Sequence, residues 1–346
     1  MPQGEYLQYG GQAIIEGVMM RSPRFFSVAV RAPNGDIVLE AEPLEKTWIG
    51  RQKWLMKPFL RGTFALLDAM ALGIKAMRFA GNIQINPNYQ PQGDAGNKQG
   101  PAVEGSPAVQ TTQPSHQNIN SMAIGAAMFV GLAMGVGLFI VLPNFLAEAT
   151  RKLGNTNPRM ISYAAEVIKI VLLLGYLWLI GKMPDIHRVF MYHGAEHKAI
   201  NTFEAGEELT LENCRRQTRL HPRCGTSFAI IVLIVSLLIF PFVPRYPIPD
   251  LSTPLNVLVR VIVELLILPL VAGTSYELLR IAGKLKNKSV VMAFFWPGLM
   301  SQYLTTVEPT DDQIEVSLNA LKACIDKENA LTSLSATPAS EPALSP

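Results

Sequence analysis

His193, Glu196 and His197 lie in the stretch YHGAEHKAINTFE, residues 192–204, in the order H-x-x-E-H. Side chains four apart on an α-helix share a face, so imidazoles at this spacing can bind one divalent metal such as zinc. The order is that of the inverted zinc-protease motif, whose carboxylate serves as general base toward water at the ion. Glu196 is therefore the candidate catalytic residue, and His193 and His197 are candidate metal ligands. An open catalytic site takes a third protein ligand and leaves one position free. His221, Cys224 and Glu204 are candidates near in sequence, and Glu277 in AGTSYELLR is a distant one.

The same atoms allow a different use. His193 with His197, and His221 with Cys224, make two short-spaced pairs that could close a four-ligand structural site. Cys214 could replace one of them. A third reading needs no metal and leaves a solvated polar helix. Four of the five histidines (His187, His193, His197 and His221) fall in this one region, which favours a bound metal. The chain carries no P-loop, no G-x-S-x-G and no H-E-x-x-H.

The elements that must position these residues are apolar. Of 346 residues, 49% are hydrophobic and only 16% charged, where soluble proteins carry about 25%. Residues 122–146 contain no charge, enough helix to cross a hydrocarbon core of about 30 Å. Further runs cover 161–181, 227–243 and 255–275. A shorter one at 290–304, broken by Pro297-Gly298, reads as a re-entrant or interfacial element. The expected fold class is mainly α: a polytopic integral membrane protein with four transmembrane helices and a small β-rich cytoplasmic N-terminal unit.

Lys and Arg set the expected orientation. They concentrate before the first run, in the 182–225 loop and after 275, and are sparse in the two intervening loops. This bias puts both termini and the 182–225 loop in the cytoplasm, with Glu277 at the cytoplasmic end of the fourth span. The opening stretch lacks the pattern of a cleaved secretory signal, so the first apolar run is expected to serve as an uncleaved anchor. Disulfides are not expected among Cys214, Cys224 and Cys324 on that side. The net charge is +3, and no basic run with interleaved aromatics points to nucleic acid. The basic residues suit membrane lipids as partners.

Along the chain, residues 1–45 read as the β-rich unit, with a hairpin turn at Asn34-Gly35 and an earlier strand interrupted at Gly17. Residues 46–81 read as an amphipathic helical segment with Leu66, Leu67, Met70, Ile74 and Met77 on one side. Residues 82–120 are too polar to bury a core and read as a disordered linker. The transmembrane bundle spans 121–306 and includes the histidine-rich loop. An amphipathic helix opened by a capping box at Thr310 and Gln313 covers 307–326, and 327–346 is a flexible tail. In the first span, Ala127, Gly131 and Gly135 repeat at four-residue spacing. Such a stripe serves close packing within the bundle or pairing of copies into a homo-oligomer. Glu166 and Lys169 in the second span, and Arg260 and Glu264 in the fourth, mark either a functional pathway or mutual pairing.

The stretches GGQAIIEGVMMRSP, RGTFALLDAM, YHGAEHKAINTFE, HPRCGTSF, AGTSYELLR and PGLMSQYLTT together resemble the bacterial YqhQ-like membrane family, over nearly all of 10–325 except 82–120. The resemblance implies a membrane protein of a family without an assigned function, whose members are described as predicted metal-dependent enzymes. The expected activity is a membrane-embedded, cytoplasm-facing hydrolase acting on a lipid-like or membrane-peptide substrate. The competing expectation is a non-catalytic scaffold, assembly factor or transport component with a structural metal site or none.

Single cysteines introduced at Ala95 and Glu207 are expected to react with a membrane-impermeant thiol reagent from the same, cytoplasmic side. Labelling from opposite sides would separate the histidine loop from the N-terminal unit.

Overall fold

The computed structural model describes residues 9–44, 57–86, 121–154, 156–284 and 289–336. The expected segments at 1–8, 45–56, 87–120 and 337–346 lie outside the described residues.

Four strands, β1 (Gly10–Ile14), β2 (Gly17–Arg21), β3 (Phe25–Arg31) and β4 (Ile37–Pro43), form an antiparallel sheet in the order β1-β2-β3-β4. Asn34-Gly35 makes the β3–β4 turn, with Gly35 at φ 93° and its N–H donating to the Ala32 carbonyl at 2.9 Å. The stretch expected as one interrupted strand is instead a tight hairpin. Glu16 turns at φ 51°, and Gly17 begins β2 where a side chain would collide with β3.

Both faces of the sheet are covered, following the period of two. Helix α1 (Leu60–Ile85) packs Ala76, Phe79, Ala80 and Ile83 on Ile14, Met19, Phe26, Val28 and Val30. Helices α5 (Pro184–Glu204) and α10 (Asp311–Ala336) cover Val18, Met20 and Ala29 with Tyr192, Ala195, Ala199, Ile314 and Leu321. The face of α1 that packs on the sheet is therefore the one opposite its large aliphatics. Leu66, Leu67, Met70 and Met77 are exposed, because Gly62 and Gly73 bring the other side against Tyr276 and Gln12. Ile83 is fully buried, and α1 accordingly runs past the expected boundary at 81. Helix α10 likewise extends to Ala336, where Glu328 accepts from Ser22 Oγ and from the Arg24 backbone, each at 2.8 Å. Its start is capped by the Thr310 N–H donating to Gln313 Oε1 at 2.9 Å.

Among the described residues, four helical stretches are long and apolar enough to cross a membrane: Gly125–Leu153, Pro158–Ile180, Gly225–Phe242 and Thr253–Ile281. The first comprises α2 (Ser121–Val136), a π-turn (Gly137–Val141), α3 (Leu142–Ala149) and a 3₁₀ turn (Thr150–Leu153). The others are α4 (Pro158–Ile180), α7 (Gly225–Ile239) with a 3₁₀ turn (Phe240–Phe242), and α8 (Thr253–Lys284). A short helix, α6 (Leu211–Arg216), lies in the loop after α5. The run expected to be broken at Pro297-Gly298 is a continuous helix, α9 (Ser289–Thr305). A proline removes one helical hydrogen bond without ending a helix held by a neighbour. Here the absent Gly298 side chain admits Ser227 of α7. The small-residue stripe on α2 points outward. Ala127 and Gly131 are exposed, and nothing lies within 4 Å of a Cβ built at Gly131 or Gly135.

Among the apolar helices, the four charges pair with one another. Lys169 Nζ donates to Glu166 Oε1 at 2.7 Å and to Glu264 Oε2 at 2.8 Å, and Arg260 Nε donates to Glu264 Oε1 at 2.9 Å. Ser236 and Asn144 add hydrogen bonds to the two carboxylates. All four ionic side chains are at most 5% exposed, so satisfaction comes from partners rather than solvent.

Glu264→Leu leaves Arg260 without a carboxylate. The substitution is expected to cost about 3–5 kcal/mol, read as a lower unfolding midpoint of the purified protein in detergent. An unchanged midpoint would mean that the network does not hold the helices together.

Candidate metal centre

Helix α5 starts with Pro184 in its first turn and Asp185 beside the positive helix end. Its middle is buried although its composition is polar, because small residues let neighbours approach. Gly194 sits against the Val307 carbonyl where any side chain would collide, and the Val307 N–H donates to the Phe190 carbonyl at 2.9 Å. That contact brings the end of α9 over His193.

Each imidazole is pinned through Nδ1. His193 Nδ1 lies 2.8 Å from the Thr305 carbonyl and His197 Nδ1 lies 2.6 Å from the Arg219 carbonyl. A carbonyl only accepts, so Nδ1 carries a proton in both rings, and in the neutral form of each ring Nε2 keeps its lone pair. This is the orientation that outer-shell hydrogen bonds impose on metal-binding histidines. The rings are 4.4 Å apart between centroids. Cys224, the N-cap of α7, places its Sγ 3.1 Å from His193 Nε2 and accepts from the Thr226 N–H at 3.4 Å. The three ligand atoms of His193, His197 and Cys224 lie within 4.8 Å of one another. Two imidazole nitrogens and a sulfur suit a zinc-like ion by donor type.

Glu196 is 4% exposed, with Oε2 3.6 Å from His197 Nε2. It stands beside the three-atom cluster without belonging to it. Burial pushes its carboxyl up to about 7, opposed by the charge of His193 and a hydrogen bond from the Gly11 backbone. Strand β1 closes over it, and a Cβ on Gly11 would fall 2.6 Å from Glu196 Cγ.

The other candidates divide. His221 borders the cluster, its ring 5.6 Å from that of His197. Its loop is held by Gln302, which accepts from the His221 N–H at 2.8 Å and donates to the His221 carbonyl at 2.7 Å. Burial lowers the pKa of this imidazole, and its buried Nε2 has no hydrogen-bond partner; Glu204 Oε1 is 3.6 Å away. Glu204 itself pairs with Arg223. Glu277 is not brought to the histidines. Its carboxylate accepts from both Nε and Nη2 of Arg61, which joins α8 to α1. Cys214 is buried elsewhere, accepting from Thr202 Oγ1 at 3.2 Å; all three cysteines are free. Single-residue chemistry gave no reason to name Gly11, Arg219, Gln302 or Thr305, since these act through backbone atoms or an amide. Three of them do fall in the stretches GGQAIIEGVMMRSP and PGLMSQYLTT.

A bundle of membrane-length helices and a small sheet, whose first strand closes on a buried glutamate beside a His–His–Cys cluster, defines the class of protein. The chain belongs to the DUF1385 family of proteins of unknown function, whose model matches residues 57–327. It is 32% identical over 322 residues to the uncharacterized protein YqhQ of Bacillus subtilis (strain 168), covering 92% of this chain and 93% of that one. No solved structure matches the chain significantly.

Protein purified with zinc is expected to lose the ion in His197→Ala and in Cys224→Ser, and to retain it in Glu277→Gln. Metal analysis after dialysis reads this directly. Equal loss in Glu277→Gln and His197→Ala would place Glu277 among the ligands.

Proposed function

We propose that the four apolar helices span a membrane with both termini and the histidine cluster on its cytoplasmic face, and that the protein is a metal-dependent hydrolase. The observation that supports this reading best is the pair of Nδ1–H···O=C hydrogen bonds, which aim two Nε2 lone pairs toward the Cys224 sulfur. His193, His197 and Cys224 would hold the ion, and His221 is the reserve ligand beside them. A divalent ion there supplies Lewis acidity and lowers the pKa of water toward 7. Glu196, outside the cluster and 3.6 Å from His197 Nε2, takes the proton. A lipid-like substrate is favoured by an apolar groove of about 440 Å³ between α4, α7 and α9, lined by Ile170, Ile230, Trp296 and Leu304. Leu304 precedes the carbonyl that fixes His193.

One observation favours a second reading. His193 Nε2 and Cys224 Sγ, 3.1 Å apart, satisfy each other directly, so the cluster could also be a hydrogen-bonded staple in a non-catalytic scaffold or transport component.

Glu196→Gln separates the two. The amide keeps the size of the side chain but cannot take a proton, so metal content should persist while function falls about 10²–10⁴-fold in a complementation or turnover assay. His197→Ala should lose metal and function together. Full function in Glu196→Gln with a defective His197→Ala would leave the structural reading standing.

A further inference from the structure

At the end of α7 remote from Cys224, a cavity of about 510 Å³ opens between the start of α4 and the segment that follows α7. This lies within the roughly 300–1,000 Å³ of small-molecule sites. Asn157, Arg159, Ser162, Val243, Pro244 and Arg245 contribute to its lining. Its walls are held by the buried ionic network rather than by apolar packing alone. Arg260 donates to the carbonyls of Phe240 at 2.6 Å, of Pro244 at 2.9 Å and of Val243. Arg245 donates to the Asn144 carbonyl at 2.8 Å and to Glu148 Oε1 at 2.9 Å. Arg260, a fully buried cation, thus fixes this wall in one shape.

Two features of the preformed cavity are not explained by the fold. Ser162 is 1% exposed, and its hydroxyl has no hydrogen-bond partner. Buried hydroxyls are rarely left unpaired, since the unmet bond is costly. At the rim, Arg159 is exposed and lies over the Phe242 ring at 5.9 Å, with no carboxylate partner among the described residues. The first turn of α4, capped by Asn157, adds the positive end of a helix. The charged residues in the lining are both cations, Arg159 and Arg245. Glu148 already balances Arg245, so Arg159 is the cation left for a ligand.

We propose that this cavity binds a phosphate group, either the phosphodiester of an anionic lipid headgroup or free inorganic phosphate. A tetrahedral oxyanion offers enough acceptor oxygens to meet the Ser162 hydroxyl and the Arg159 guanidinium together. The site is independent of the histidine cluster and stands or falls separately from the hydrolase reading.

The test uses the full chain, delipidated in detergent, titrated with radiolabelled inorganic phosphate and, separately, with phosphatidylglycerol in mixed micelles. Saturable binding of at least one probe is expected, weakened about tenfold in both Arg159→Gln and Ser162→Ala, as loss of a hydrogen bond to a charged ligand predicts. Ser162→Ala should also unfold at a temperature no lower than the unmodified protein without ligand, because it removes only an unpaired hydroxyl. Binding of phosphatidylglycerol without competition by phosphate identifies the headgroup as the source, and mutual competition identifies the free ion. Absence of saturable binding by either probe, or weakening in Arg159→Gln alone, overturns the proposal.

Discussion

The close approach of α5 to the segment after α9 is the constraint on which the rest of the centre depends. It exists because residue 194 has no side chain. With Gly194 against the Val307 carbonyl, the Thr305 carbonyl falls on His193 Nδ1, and the chain turns directly into α10 over the sheet. A methyl group at 194 would push these elements apart and release the ring whose other nitrogen faces Cys224. Gly11 works in the same way on the opposite side, letting β1 close on Glu196. Two missing side chains, far apart in sequence, determine how tightly the polar cluster is enclosed.

Polar groups are buried at both ends of α7, with opposite solutions. At the histidine end, backbone carbonyls orient two rings, an amide side chain holds the main chain of His221, and His221 Nε2 has no hydrogen-bond partner. At the other end, two acid–base pairs neutralise each other and spend their remaining donors on main-chain carbonyls. Neutral donors in a fixed array can receive a cation, whereas a balanced ionic set resists one. The contrast is a reason to look for metal chemistry beside α5 rather than among the charges within the apolar helices.

Much of the fold could be read from local pattern. The Asn34-Gly35 turn, the four long apolar runs and the capped start of α10 each rest on interactions within a few residues, and each is present. The histidine pair was legible because helical spacing alone puts both rings on one face. What could not be read depended on contacts between distant segments. The face of α1 that packs on the sheet carries no signal of size, since Ala76 and Ala80 meet the strands while the larger Leu66, Leu67 and Met70 stay exposed. Glu277 looked available, since nothing local reveals that Arg61 holds it. Cys224 outranks it through its position as the cap of α7, a fact of tertiary placement rather than of spacing.

The sheet that roofs the centre is made from the beginning of the chain, yet one of its faces is covered by α10 from near the end. Ser22 and Glu328, hydrogen-bonded at 2.8 Å, are separated by 306 positions. At roughly 5–20 residues per second of synthesis, the strands emerge some 15–60 s before the helix that completes their burial. During that interval the apolar face formed by Val18, Met20 and Ala29 lacks α10. A nascent chain of this kind needs that face shielded while the long apolar helices are being placed, so its maturation has a vulnerable window that the finished molecule no longer displays.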